Sequence, residues 1–273
     1  MNVKVYNFSG VYSQGEYDLG AGARVFDLTA LPGTSCYADK EVLREEISPR
    51  GPEALGPNDS INLIDSGDYH YMTYLLAAGI GQPFSLVLID NHPDTQTPAF
   101  GEDILSCGGW VRNMLRDNPY LKRVLILGID PALIGETEGL PAREDGFPRV
   151  TVITAPEEPK EAGPEEGKRE FTSENKWLSG VREQLSRWLA ASGEPVYLSI
   201  DKDVLSREYA RTDWDQGTMT LPQLLALCRQ IKAARKIIGT DICGELSPSK
   251  GGTPADALLN AKANKAIMEV LLD

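Results

Sequence analysis

Short, nearly unbroken apolar runs alternate along this chain with longer stretches in which apolar residues recur every three or four positions. Residues 61–64, 85–89, 124–127, 150–153, 196–200 and 236–238 are rich in β-branched and aliphatic side chains and predict strands. Several are apolar at consecutive positions, which suits strands covered on both faces, as in a parallel sheet. Residues 3–6 and 24–28 are weaker strand candidates. Helices are predicted over 39–47, 69–78, 102–116, 173–191, 221–235 and 254–272. Ser173 with Glu174 reads as a helix start, and Pro254 falls where a first helical turn accepts proline.

The alternation predicts an α/β fold of three layers, a doubly wound and mainly parallel sheet with helices on both faces. Residues 131–169 are rich in Gly, Pro and Glu and are broken only by the strand near Val150. They read as loops at one edge of a single domain spanning 1–273, not as a boundary between two.

Composition changes this picture little. The chain has 273 residues, 41% hydrophobic and 25% charged, enough for a sizeable core. A net charge of −13 argues against a nucleic-acid partner, whose phosphates are bound mostly by Lys and Arg. Part of that charge lies in 157–170, which reads as an exposed loop. Cys36, Cys107, Cys228 and Cys243 show no C-x-x-C spacing, so they read as reduced thiols and not as a structural zinc site. No signal-peptide run and no apolar stretch of membrane-spanning length is present, so the expected location is the cytoplasm, without a membrane partner.

Ligands of open parallel sheets bind beyond the carboxyl ends of the strands, so the residues following each predicted strand carry the chemistry. The run 85–89 leads into Asp90-Asn91-His92-Pro93-Asp94, whose acids and imidazole are spaced by two. The run 196–200 leads into Asp201-Lys202-Asp203, again spaced by two, and 61–64 leads into Asp65-Ser66-Gly67-Asp68-Tyr69-His70. Each motif alone also reads as a helix cap. Together they gather both histidines of the chain among carboxylates, an arrangement that is unfavourable without a cation. His70, Asp90, His92, Asp94, Asp201 and Asp203 are therefore the candidate metal ligands. Carboxylates with few imidazoles suit Mn²⁺ or Mg²⁺, and six donors suit two bridged ions better than one tetrahedral ion.

The same residues resemble the arginase–agmatinase (ureohydrolase) family, whose fold also covers deacetylase-like amidohydrolases. Asp90-Asn91-His92-Pro93-Asp94 is similar to the family's D-A-H-x-D, and Ser199-Ile200-Asp201-Lys202-Asp203 to its S-x-D-x-D. Gly67-Asp68-Tyr69-His70 resembles G-G-D-H with one residue inserted, and Asp241 to Pro248 resembles a late D-I-x-E-x-N-P, also with one insertion. The resemblance implies an arginase/deacetylase-like fold and two Mn²⁺ ions, other divalent ions being open. It implies one ion on His70, Asp90, Asp94 and Asp201, the other on Asp90, His92, Asp201 and Asp203, and hydrolysis of a linear C–N bond by a metal-bridging hydroxide. Glu245 and Asp94 become the catalytic candidates, with Glu245 also holding a cationic guanidinium or formimino group.

Departures touch the substrate more than the fold. The usual continuation of the second D-x-D is replaced by Val204-Leu205-Ser206-Arg207, and Thr212 to Gly217 replaces a Gly-Gly stretch. The loop histidine that shuttles protons in arginases has no counterpart. Cys107 stands near its place, as a pocket thiol or a buried, inert one. The inserted Tyr69 leaves Asp68 as the fallback to His70. The expected partner is a small, cationic molecule, with a homo-oligomer left open. The competing readings are a family relative with altered catalysis and a deacetylase-like amidohydrolase, which would spare Asp203.

Overall fold

The computed structural model describes residues 2–20, 22–50, 55, 60–140, 149–155 and 167–272. Eight strands form one sheet: β1 (Asn2–Asn7), β2 (Arg24–Asp27), β4 (Ser60–Leu63), β5 (Phe84–Ile89), β7 (Leu121–Ile129), β8 (Val150–Thr154), β9 (Val196–Asp201) and β10 (Ile237–Cys243). Two more, β3 (Tyr37–Asp39) and β6 (Ile104–Ser106), pair antiparallel beside it. The large sheet runs β2-β1-β4-β10-β9-β5-β7-β8, and all of its pairings are parallel. Both weaker strand candidates are therefore strands.

Alternation along the central strands divides the core. Leu86 and Leu88 of β5 join one buried cluster with Leu43 and Ile47 of α1 (Lys40–Ile47), Leu75 and Leu76 of α2 (Met72–Ala78), and Trp110 and Met114 of α3 (Trp110–Asp117). Val87 and Ile89 join the other, with Val181 and Leu185 of α4 (Gly167–Ala190), Leu224 and Leu227 of α5 (Leu221–Ala234), and Ile267 of α6 (Pro254–Leu272). With period-2 side chains buried on both faces, the sheet is the middle of three layers. Among the described residues no helix is long and apolar enough to cross a membrane.

Helix starts follow local chemistry. The Asp39 carboxylate accepts the N–H groups of Glu41 and Val42 at the start of α1, and Thr220 and Gln223 form a reciprocal capping box on α5. Two expectations are corrected. The helix predicted from 102 begins only at Trp110, because 104–106 pair with β3 and Gly108–Gly109 intervene; a Cβ on Gly108 would meet Gln96 Oε1 at 2.8 Å. The helix predicted from Ser173 already runs from Gly167, so part of the presumed loop at 157–170 is helical, while 156–166 lie outside the described residues, as do 141–148 of the presumed edge loop. β8 does sit at the sheet edge.

β10 is longer than predicted and carries polar residues inward. Asp241 is fully buried in it, and its carboxylate accepts the hydroxyls of Tyr197 at 2.7 Å and Ser199 at 2.6 Å from neighbouring β9. Just past its end Gly244 has φ 89°, and a Cβ there would lie 2.4 Å from Asp201 Oδ1. Only glycine lets β10 leave the sheet this close to β9.

Candidate metal centre

The carboxyl ends of β4, β5, β9 and β10, neighbours in the middle of the sheet, bring the candidate ligands into one buried place. The inserted Tyr69 is absorbed by a 3₁₀ turn over Gly67–Tyr69, with its ring stacked on Phe8 at 4.4 Å. That turn delivers His70 to the cluster. Asp68 points elsewhere: its carboxylate accepts from Ser35 Oγ, Trp214 Nε1 and Lys250 Nζ. Gly67 is needed at the turn because a Cβ would meet Trp214 at 2.9 Å and Asp201 Oδ2 at 3.1 Å.

The spacing of two in both strand-end motifs has a local cause. The His92 N–H donates to Asp90 Oδ1 at 2.6 Å, and the Asp203 N–H donates to Asp201 Oδ1 at 2.8 Å. Each first aspartate thus spends one oxygen on the turn and keeps the other, Oδ2, for the centre. His70 Nδ1 lies 3.3 Å from Asp90 Oδ2, 3.0 Å from Asp94 Oδ2 and 3.6 Å from Asp201 Oδ2. His92 Nδ1 lies 2.8 Å from Asp203 Oδ2 and 3.7 Å from Asp90 Oδ1. His70, Asp90 and Asp94 form one group able to hold an ion, and Asp90, His92 and Asp203 a second. Asp90 faces both.

The tautomer of His70 follows from its far side. Ser199 gives its hydroxyl proton to Asp241 Oδ1, so its oxygen accepts from His70 Nε2–H at 2.8 Å. Nδ1 then turns toward the carboxylates the atom that a proton or a metal must occupy. Burial by itself lowers the His70 pKa, but Cys243, Asp90 and Asp94 together carry it well above its ordinary value. Burial likewise opposes charge on His92, and Asp203 and Asp90 overcome it, raising His92 to about 12. Asp94 rises to about 6, from burial first and then the Asp90 charge. Its backbone is left-handed, φ 51°, and Trp110 Nε1 donates to its Oδ2 at 2.5 Å. Asp90 Oδ2 is buried without a hydrogen-bond partner.

The cavity over this cluster is walled by Cys36, Tyr37, Gln96, Cys107, Glu136 and Trp214, and no lysine or arginine lines it among the described residues. Cys107 is therefore a pocket residue, placed there by the β3–β6 pairing, its N–H donating to the carbonyl of Cys36 at 2.9 Å. Trp214, from the segment that departs from the Gly-Gly pattern, sets its ring 5.9 Å from that of His92.

Glu245 corrects an expectation. It is fully buried and does not line the cavity. Its Oε1 accepts from buried Lys202 Nζ, from Asn264 Nδ2 at 2.8 Å and from Tyr12 OH at 3.2 Å; its Oε2 accepts from Tyr17 OH at 2.6 Å. In this arrangement the charge of Glu245 is already matched by Lys202, behind the cavity. Cys243, given no role in the sequence, also touches the cluster, its sulfur 3.0 Å from Asp201 Oδ2. Its only signal was its place inside the late motif, between Ile242 and Gly244.

Comparison with known proteins bears on the fold and the family. A protein of Thermotoga maritima described as uncharacterised is 31% identical over 247 residues, covering 90% of this chain and 81% of that one. Among solved structures, proclavaminate amidino hydrolase from Streptomyces clavuligerus matches with a TM-score of 0.63 at 18% identity, over 99% of this chain and 90% of that one. Agmatine ureohydrolase of Thermoplasma volcanium gives 0.60 at 16% identity (99% and 89%), and arginase from Bacillus subtilis 0.60 at 14% (98% and 98%). These structural likenesses speak for the fold. The arginase family model matches residues 11–269, from before the first strand-end motif to well beyond Glu245, and the chain belongs to the arginase family.

Proposed function

We propose that the chain is a hydrolase of linear C–N bonds in a guanidino, amidino or formimino compound, working with two divalent ions, Mn²⁺ foremost. His70, Asp90, Asp94 and Asp201 would hold one ion and Asp90, His92, Asp201 and Asp203 the other, with Asp90 and Asp201 shared. The observation that carries this reading is the convergence of His70 Nδ1 on three buried carboxylate oxygens, Asp90 Oδ2, Asp94 Oδ2 and Asp201 Oδ2. Carboxylates and imidazoles this deeply buried are strongly unfavourable unless cations neutralise them. The donors are oxygen-rich, which suits hard ions. When bound, such a pair polarises the reacting carbon and lowers the pKa of water to near neutrality.

The protein's own contribution is positioning. Ser199 and Asp241 fix the His70 tautomer, Trp110 holds Asp94, and the backbone N–H groups of His92 and Asp203 hold the shared aspartates. A cavity walled, among the described residues, by Glu136, Tyr37 and Trp214 without lysine or arginine favours a small cationic or neutral substrate over one bearing a carboxylate, so arginine itself is disfavoured. The same reading makes residues 1–273 one arginase-like domain acting in the cytoplasm.

A second reading is favoured by one observation. With Glu245 held by Lys202, a family member that keeps fold and metals but has altered catalysis is also consistent. The test is release of urea, ammonia or formamide from a panel of guanidino and formimino compounds by Mn²⁺-loaded protein, with Asp203→Ala beside it. Metal-dependent release lost in the variant supports the hydrolase. No release from any compound, with two ions bound, supports the second reading; acetate from acetyl-polyamines would point to deacetylation.

A further inference from the structure

Cys243 is the last residue of β10 and lies opposite Asp201 in the register of β10 with β9. It is fully buried, and its Sγ is 3.0 Å from Asp201 Oδ2. That same oxygen faces His70 Nδ1 at 3.6 Å, and a ligand atom from each of Cys243, His70 and Asp201 lies within 4.8 Å of the other two. His70 Nδ1 also lies 3.0 Å from Asp94 Oδ2 and 3.3 Å from Asp90 Oδ2. The sulfur thus forms a donor group with His70 and Asp201 that shares His70 with the group of His70, Asp90 and Asp94, and it enters from a strand that otherwise gives the centre no ligand.

We propose that Cys243 is a thiolate ligand of the ion held by His70, Asp90, Asp94 and Asp201. The two ions then differ in kind: the His70 site carries sulfur and prefers a borderline ion such as Co²⁺, Fe²⁺ or Zn²⁺, while the His92 site, with nitrogen and oxygen only, prefers Mn²⁺ or Mg²⁺. This rests on the reading of His70 and its neighbours as metal ligands. At a sulfur–oxygen separation of 3.0 Å both atoms could reach one ion with bonds of about 2.3 Å to sulfur and about 2.1 Å to oxygen. On binding, the S–H bond breaks, its electron pair forms the metal–sulfur bond, and the proton passes to solvent. Asp201 Oδ2, which accepts that S–H in the absence of metal, is freed toward the same ion.

The experiment is cobalt loading of the chelated full-length protein, carried out in a Cys36→Ser/Cys107→Ser background so that the pocket thiols are silent. The expected result is a near-ultraviolet sulfur-to-cobalt charge-transfer band together with weak visible d–d bands. Adding Cys243→Ser removes the first and keeps the second. X-ray absorption at the cobalt edge, in the same background with Cys243 intact, should show a sulfur at about 2.3 Å, a readout that stands if the Cys243 variant fails to fold. Visible bands without a charge-transfer band, or a charge-transfer band that survives Cys243→Ser, overturn the thiolate ligand and leave the metal centre standing. Cobalt that does not bind at all overturns both.

Discussion

Replacing Lys202 with methionine removes the cation from a fully buried ion pair and leaves Glu245 with neutral donors only, from Tyr12, Tyr17 and Asn264. Methionine keeps much of the lysine stem's volume, so packing loss is small and the electrostatic consequence dominates. Breaking a buried pair by removing one partner costs about 3–5 kcal/mol, because the remaining charge is uncompensated. With a urea m-value near 3 kcal/mol/M, the upper part of the usual range, the midpoint should fall by about 1–1.7 M. Adding Glu245→Gln should recover most of that loss, since a neutral amide no longer needs the ammonium. The assay is equilibrium urea unfolding of wild type, both single variants and the double variant. A Lys202→Met shift under about 0.3 M, or about 1 kcal/mol, would put the pair in the class of surface salt bridges. The account of Glu245 as a residue pinned behind the cavity would then be refuted.

Two further outcomes follow from the centre. Ser199→Ala takes away the acceptor of His70 Nε2–H, so affinity at the His70 site should fall roughly 10–100-fold in metal titrations, with the His92 site little changed. Metal-free protein at pH 8 carries His92 as an imidazolium, its pKa raised against burial to about 12 by Asp203 and Asp90, and His70 is held well above its ordinary value. Those protons stabilise the metal-free fold fully below the unfolded histidine pKa of about 6.5, and the contribution is lost as pH rises through the folded values. Metal must displace them, so affinity should rise with pH, and calorimetry in buffers of different ionisation enthalpy should detect release of at least one proton per chain. Release of none would contradict the assignment of both imidazoles.

Much of the fold was legible because its central strands are apolar at consecutive positions, which only a sheet covered on both faces explains. The candidate centre was legible because acids and imidazoles directly follow those strands. What escaped had tertiary causes. β3 and β6 span three residues each, too short for periodicity to register, yet their pairing brings Cys36 and Cys107 to the cavity. The predicted strand stopped at Ile238, where Gly239, Thr240 and Asp241 break the apolar run; Asp241 is tolerated in β10 by Tyr197 and Ser199, more than forty positions away in sequence. Glu245 was found by its motif but its orientation was not, since Lys202 on another strand end decides where its charge goes. Cys243 was hidden for the same reason as β10, its register with Asp201 being visible only in the assembled sheet.

The central claim is that the strand-end cluster is a two-ion centre. It is tested most directly by metal analysis of purified, Mn²⁺-loaded protein after removal of free metal, with His92→Ala and Asp201→Ala prepared in parallel. The account predicts about two divalent ions per chain in the wild type, a loss centred on one ion in His92→Ala, and loss of both in Asp201→Ala, whose carboxylate is shared. Fewer than about one ion per chain, unchanged by either substitution, would contradict it.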